Sequence, residues 1–211
     1  MKTSIIALKT LVGVAAMTLP LIATAESNYQ TGTGGLSATA HVDFTITIPR
    51  TLYLRVGTGS AYPATLANGA TIDLITFSPA LATLGNNTPI AGTGGDIGGG
   101  VETAAILTNS NTVSLTATAT GALTDASGDT IPYTQINTVA SALTGADMLL
   151  TAPTLTNGVS APVTLTAAAN KTIAADAKWT YTYQNAAVVP AGTYGGVNVN
   201  NGRVVYTATI L

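Results

Sequence analysis

Residues 36–48, Leu-Ser-Ala-Thr-Ala-His-Val-Asp-Phe-Thr-Ile-Thr-Ile, alternate strictly between apolar and polar side chains. Because successive side chains of an extended chain point to opposite faces, this alternation predicts a β-strand with one apolar face. We expect the strand to be half-buried, either in its own domain or in a neighbouring copy of the chain. The predicted buried face consists of Leu36, Ala38, Ala40, Val42, Phe44, Ile46 and Ile48.

Little in this stretch protects its edge against pairing with another chain. Residues 36–48 contain no Pro, Lys or Gly, which are residues that commonly block an exposed strand edge. The preceding residues 26–35 form a Gly-rich spacer. The sequence therefore indicates a strand that can be added to another sheet.

The first 25 residues have the organisation of a cleavable export signal. Lys2 and Lys9 supply positive charge, residues 11–22 are largely apolar, and Ala23-Thr24-Ala25 has the small-x-small pattern of a cleavage site. Cleavage is expected between Ala25 and Glu26, and it would leave the protein in the periplasm, at the cell surface or outside the cell. Since no later stretch is long and apolar enough, we expect no transmembrane span in the mature chain. The predicted organisation is a signal peptide (1–25), a spacer (26–35) and a single domain (36–211).

The charge and cysteine content exclude several classes of function. Two of the seven Lys and Arg residues lie in the signal, so five remain against nine acidic residues, and these five form no basic patch. Nucleic-acid binding is therefore not expected. The chain has no Cys, which excludes disulfides and thiolate sites, and one His excludes a histidine-rich metal site.

Short alternating runs separated by turn residues predict an all-β fold. Their spacing favours an antiparallel β-sandwich, immunoglobulin-like or jelly-roll-like, with a final strand supplied by strand addition if the sandwich is incomplete. Residues 135–150 show a weak helical spacing. We also expect two successive strands, 103–108 and 113–120, to pair with each other. The further predicted strands are residues 52–56, 71–77, 163–167, 178–184 and 203–210.

The chain offers no convincing catalytic constellation, so we do not expect an enzyme or a cofactor. His41 and Asp43 share the polar face of the first strand, but there is no Gly-x-Ser-x-Gly nucleophile motif, and we interpret both as solvent-facing. Residues 125–129, Asp-Ala-Ser-Gly-Asp, resemble part of an acidic calcium loop but lack its closing Glu, which favours a β-turn. The Gly-rich residues 85–100 are expected to form a long loop.

Three aromatic residues share one face of a predicted strand. Trp179, Tyr181 and Tyr183 are spaced two apart in residues 178–184. Such a stripe is typical of core or cross-strand packing, and it also has the chemistry to stack on a sugar ring. Both interpretations are open at the level of the sequence.

Both ends of the chain resemble a known group of secreted proteins. The sequence Pro190-Ala191-Gly192-Thr193-Tyr194, followed by an alternating final strand at 203–211, resembles the ending of fimbrial subunits and of spore-coat-U-like secreted proteins. Residues 36–48 resemble the donor strand with which those subunits complete the sandwich of the next subunit. The resemblance implies a non-enzymatic structural or adhesive subunit whose partners are further copies or other surface subunits. The alternative hypothesis is a monomeric secreted or periplasmic β-sandwich that binds carbohydrate. Its ligand would be a glycan or another component of a host surface.

Overall fold

A computed structural model of the chain describes residues 27–59, 65–144, 148–168 and 171–211. The predicted signal peptide and the cleavage residues Ala25 and Glu26 lie outside these residues.

The chain divides into two units, Met1–Thr47 and Ile48–Leu211. In the first unit, residues 27–47 contain no helix or strand, and every side chain is exposed. The second unit begins at Ile48, whereas the sequence predicts a domain from residue 36.

The second unit is an all-β domain, which confirms the predicted fold class. Among the described residues of the chain, strands account for 36% and helices for 3%, and the sheets are mainly antiparallel. Two short 3-10 helices are described, Leu81–Thr83 and Tyr133–Gln135. The described strands are, in chain order, β1 (Leu52–Val56), β2 (Ile75–Thr76), β3 (Ile90–Ala91), β4 (Thr93–Gly94), β5 (Val101–Thr108), β6 (Thr112–Ala119), β7 (Leu123–Thr124), β8 (Thr130–Ile131), β9 (Ile136–Ser141), β10 (Met148–Leu149), β11 (Val163–Thr166), β12 (Ile173–Tyr183) and β13 (Val204–Ile210).

Two sheets form the layers of the sandwich. The larger sheet has the order β1-β5-β12, and β12 pairs on its other edge with β9 and, in parallel, with β10; β3 also pairs with β12. The smaller sheet has the order β11-β6-β13. Two further pairs, β2 with β4 and β7 with β8, are short hairpin-like ladders.

The core lies between the two sheets. The larger sheet contributes Ile106 and Trp179, and the smaller sheet contributes Val113 and Leu115; all four side chains are fully buried. Strand β6 shows the alternation that the sequence predicts, because its apolar residues are buried and the intervening Ser and Thr residues are half-exposed. The core is thus built from one face of each sheet, as in other two-layer folds.

Several predicted elements differ from the structure. Within residues 135–150, where a helix is predicted, Ile136–Ser141 and Met148–Leu149 form β9 and β10, because pairing with β12 satisfies their backbone. The predicted pairing of 103–108 with 113–120 is wrong: β5 and β6 are consecutive but lie in different sheets. Of the predicted strand 71–77, only Ile75–Thr76 is paired.

The longest predicted loop is only partly irregular. Residues 85–100 include β3 and β4, and six glycines there have positive φ: Gly85, Gly94, Gly95, Gly98, Gly99 and Gly100. Gly94 shows why the type of residue matters, since a Cβ on it would lie 2.1 Å from the Leu74 carbonyl oxygen.

Candidate functional site

Strand β13 has a hydrogen-bonding edge that no described strand occupies. It pairs only with β6, and the Leu211 N–H donates to the Thr112 carbonyl at 3.1 Å. Since residues of an antiparallel ladder alternate, Val205, Thr207 and Thr209 also point their backbone groups toward β6. The open edge therefore presents the N–H and C=O groups of Val204, Tyr206, Ala208 and Ile210.

Strand β1 has a second open edge in the other sheet. Its one neighbour among the described strands is β5, and the Gly57 N–H donates to the Thr103 carbonyl at 2.8 Å. The same alternation directs the backbone groups of Leu52, Leu54 and Val56 away from β5. Because β1 and β13 contact each other, the two open edges belong to the same side of the sandwich.

An apolar groove opens at these two edges. It has a volume of about 530 Å³, and its lining includes Leu54 and Val56 from β1, Val204 and Tyr206 from β13, and the buried Tyr181. The side chains of β1 and β13 in this lining pack against the core but are only half-buried. The core is therefore incomplete along this side.

The groove continues into a second cleft of about 880 Å³. The two cavities share Ile75, Phe77 and Tyr133 in their lining, so they form one continuous groove. The far wall of the second cleft is the loop of residues 189–196, which contains the Pro-Ala-Gly-Thr-Tyr motif. We call the combined cavity the acceptor-edge groove.

The loop motif keeps this wall in place through local contacts. The Tyr194 hydroxyl donates to the Pro190 carbonyl at 2.9 Å, and the Gly195 N–H donates to the Thr124 carbonyl at 2.9 Å. Gly202 must be glycine, because a Cβ there would lie 2.3 Å from the Gly196 nitrogen. The close backbone approach brings the loop next to the start of β13.

An acidic cluster forms the polar part of the groove wall. Asp96 forms an ion pair with Arg55 at 2.9 Å, its Oδ1 accepts the Thr103 N–H at 2.7 Å, and its own N–H donates to Glu102 Oε2 at 3.3 Å. Asp73 accepts a hydrogen bond from the Thr58 hydroxyl at 2.8 Å. Burial, and then repulsion from Asp73, raises the pKa of Glu102 to about 8, so this carboxyl group is protonated at neutral pH.

The tyrosines in the groove also remain protonated. The Tyr181 and Tyr206 hydroxyls are 3.0 Å apart, and burial raises the pKa of Tyr206 to about 12. Burial likewise raises the pKa of Tyr133 to about 12, and its hydroxyl donates to the Asn201 carbonyl at 2.6 Å. At physiological pH the groove therefore presents neutral tyrosine hydroxyls and apolar side chains, together with the carboxyl group of Asp73 and the guanidinium of Arg203.

The side chains of the aromatic stripe are buried. Trp179 is fully buried, its Nε1–H donates to the Leu150 carbonyl at 2.7 Å, and its ring packs 5.2 Å from the Tyr206 ring. Tyr181 and Tyr183 are also buried, and they contribute to the lining of the first and the second cavity, respectively. Sugar stacking by these residues stays a prediction.

The structure describes no helix or strand in residues 36–48. Four of the apolar side chains in this stretch, Val42, Phe44, Ile46 and Ile48, are 74% to 89% exposed, and Leu36 is 53% exposed. The burial of this face, in its own domain or in a neighbouring copy, stays a prediction. The remaining members of the apolar face, Ala38 and Ala40, are exposed as well.

The remaining candidate residues are the His41 and Asp43 pair and the acidic stretch 125–129. His41 and Asp43 are exposed. Asp125 forms a turn, since its Oδ1 accepts the N–H groups of Ser127 and Asp129 at 2.9 Å and 2.8 Å.

No group of three or more His, Cys, Asp or Glu side chains suited to a metal ion occurs among the described residues. None of the helices in the described part of the chain has the length and apolar character needed to cross a membrane.

The groove was not predicted from the sequence. The groove residues come from β1, residues 71–79, β13 and the loop 189–196, which are far apart in the chain. The one useful sequence feature is the alternation of the final strand, whose inward residues form part of the lining. Nothing in the sequence links Asp73, Asp96 and Glu102.

Comparison with family models, with curated proteins and with solved structures gives no match to this chain. The function is therefore argued from the geometry.

Proposed function

We propose that this protein is a non-enzymatic, exported structural subunit of the cell surface that self-associates by β-strand addition. In this proposal, residues 36–48 of one copy occupy the acceptor-edge groove of the next. The observation that carries it is the match between an exposed strand with an alternating apolar face and a groove walled by two open strand edges.

The open edge of β13 and residues 36–48 both have backbone groups available for pairing. The open edge of β13 presents eight N–H and C=O groups from Val204, Tyr206, Ala208 and Ile210, and residues 36–48 form no ladder in this chain. An added strand pairs with such an edge through main-chain hydrogen bonds, while alternate side chains enter the groove. Strand addition therefore satisfies both the backbone and the apolar face.

The apolar contacts supply the driving force. Full burial of a Val, Leu, Ile or Phe side chain contributes about 1.5–3 kcal/mol, and the apolar face of residues 36–48 carries five such side chains. The groove offers half-buried apolar partners from Leu54, Val56 and Val204. Since Ala38 and Ala40 add little area, the C-terminal half of the strand is expected to dominate binding.

The donor stretch is longer than the open edge of β13. At about 3.3 Å per residue, thirteen residues span roughly 40 Å, whereas the seven residues of β13 span roughly 23 Å. The second cleft, whose lining includes the loop 189–196, adds apolar surface beyond that edge. In the proposal, the part of the added strand that extends past β13 lies against this second cleft.

The test is a pair of matched double variants of the full chain. Phe44→Lys with Ile46→Lys places two charges on the apolar face and should abolish assembly, because burying an unpaired charge is costly. Thr45→Lys with Thr47→Lys adds the same charges to the polar face and should leave assembly intact. Assembly is measured by negative-stain electron microscopy of supernatant and shear fractions, and by gels run with and without boiling. Filaments that persist in the Phe44/Ile46 variant would refute the proposal.

A further inference from the structure

Residues 49–51 connect the proposed donor strand to β1, and the side chain of Asn109 holds them. Asn109 Oδ1 accepts the Thr51 N–H at 2.8 Å, and its Nδ2 donates to the Pro49 carbonyl at 2.8 Å. Asn109 directly follows Thr108, which is opposite Leu52 in the ladder between β1 and β5. The two side-chain bonds therefore continue this ladder beyond the last backbone pair, and residues 49–51 contain no turn.

The same chain has a competing way to use its N-terminal strand. A three-residue turn at 49–51 would fold residues 36–48 back along the open edge of β1 as a hairpin. That turn places Ile48 opposite Leu52, and in the same register Ile46 faces Leu54 and Phe44 faces Val56. These pairs put apolar residues on the same face, so a self-paired monomer is chemically reasonable.

The hairpin and the Asn109 contacts exclude each other. Bending residues 49–51 into a turn removes the Pro49 carbonyl and the Thr51 N–H from Asn109. At the net contribution typical of a hydrogen bond, the loss of two disfavours the hairpin by about fivefold or more.

We propose that Asn109 is a positioning residue that directs residues 36–48 into a second copy of the chain instead of back onto their own β1 edge. This inference rests on the proposed function, because it concerns which groove the donor strand fills. Asn109 acts by keeping residues 49–51 extended, so that they are unable to form the turn that self-pairing requires.

The test compares Asn109→Ala with Asn111→Ala in the full chain. Asn111 lies in the same turn between β5 and β6 and is exposed, which makes its variant a matched control. Both are combined with the reporter substitutions Ile46→Cys and Leu54→Cys. Because the natural chain has no Cys, any disulfide comes from this pair. Directly opposite residues of a ladder are about 5.5 Å apart, within the range that a disulfide bridges.

We expect the Asn109→Ala reporter to form at least about five times more internally cross-linked monomer than the Asn111→Ala reporter, and correspondingly fewer polymers. Asn109→Asp keeps the acceptor for Thr51 but loses the donor to Pro49, so it should give an intermediate ratio. General destabilisation would not produce the internal cross-link.

The outcomes separate this inference from the proposed function. Equal monomer cross-linking and equal polymer yield in the two Ala variants, with a polymerising wild type, would overturn the role of Asn109 and leave strand addition standing. A wild type that is monomeric and already cross-links internally in the reporter form would overturn both.

Discussion

Glu102 lies in β5 with its side chain in the wall of the acceptor-edge groove, and only 5% of the residue is exposed. Glu102 belongs to a cluster with three other ionisable side chains, Asp73, Asp96 and Arg55. Burial and the charge of Asp73 hold the pKa of Glu102 at about 8, well above its ordinary value of 4.5. Between about pH 4.5 and pH 8 the folded chain keeps a proton that the unfolded chain has released, so a rise in pH across this range disfavours folding.

The stability of the domain should therefore fall as the pH rises from about 4.5 to about 8 and level off above that range. The stabilising contribution of the Glu102 proton is complete below about pH 4.5 and is fully lost once Glu102 is ionised in the folded state as well. We expect the free energy of unfolding to drop by on the order of 1 kcal/mol or more between pH 6 and pH 9. Glu102→Gln, which is neutral at every pH, should remove this drop.

The measurement is urea unfolding followed by the fluorescence of Trp179, the one Trp of the chain. The variants are made in the Phe44→Lys/Ile46→Lys background, in which we expect monomers. Asp43→Asn removes an exposed carboxylate from the N-terminal segment and serves as the control, which should retain the drop. A Glu102→Gln protein with the same pH dependence as the control would contradict the role of Glu102.

At the scale of the strand, the alternating backbone of β13 predicts opposite effects for proline at neighbouring positions. The Ala208 N–H points to the open edge, whereas the Thr207 N–H pairs with β6. Ala208→Pro should therefore fold normally, since proline is tolerated where no ladder bond is lost, but it should weaken strand addition. Thr207→Pro loses a bond of the β6 ladder and should lower the free energy of unfolding by at least about 1–3 kcal/mol.

Thermal unfolding and polymer yield together test this pair of variants. Ala208→Pro should keep the monomer's melting behaviour and lose filaments. If Ala208→Pro assembles as well as the unmodified chain, the open edge of β13 is not the acceptor.

The strands also show how far the sequence predicts local structure. Residues 52–56 coincide with β1, the predicted strand 113–120 is displaced by one residue from β6, and the predicted strand 203–210 begins one residue before β13. Alternation identifies which side chains are buried, but it does not identify the neighbouring strand. This is why β5 and β6 were expected to pair although each pairs with strands distant in the chain.

At the scale of the whole molecule, strand addition between copies is head-to-tail, because the donor strand and the groove are different surfaces. The Phe44→Lys/Ile46→Lys variant has a defective donor strand and an intact groove. The Ala208→Pro variant has an intact donor strand and a defective groove edge. Each variant alone should be monomeric, and co-expression of the two should give 1:1 dimers that do not grow further. Size-exclusion chromatography with light scattering measures the product.

A chain that carries both sets of substitutions is the control, and it should form no dimer with either variant. Filaments in the mixture of the two single-function variants would show that assembly uses another surface. Absence of dimers would show that the strand and the groove do not recognise each other.

The sequence by itself determined the all-β class, the positions of the principal strands, the apolar face of residues 36–48 and the core-forming spacing of Trp179, Tyr181 and Tyr183. These features follow from local periodicity, which the side chains carry whatever their partners. Only the tertiary structure decided that β1 and β13 leave open edges around one groove, that the aromatic stripe is covered, and that Asn109 holds residues 49–51. Strand pairing is a contact between distant segments, and many pairings satisfy the same alternation; the choice among them depends on the packing of both sheets around one core.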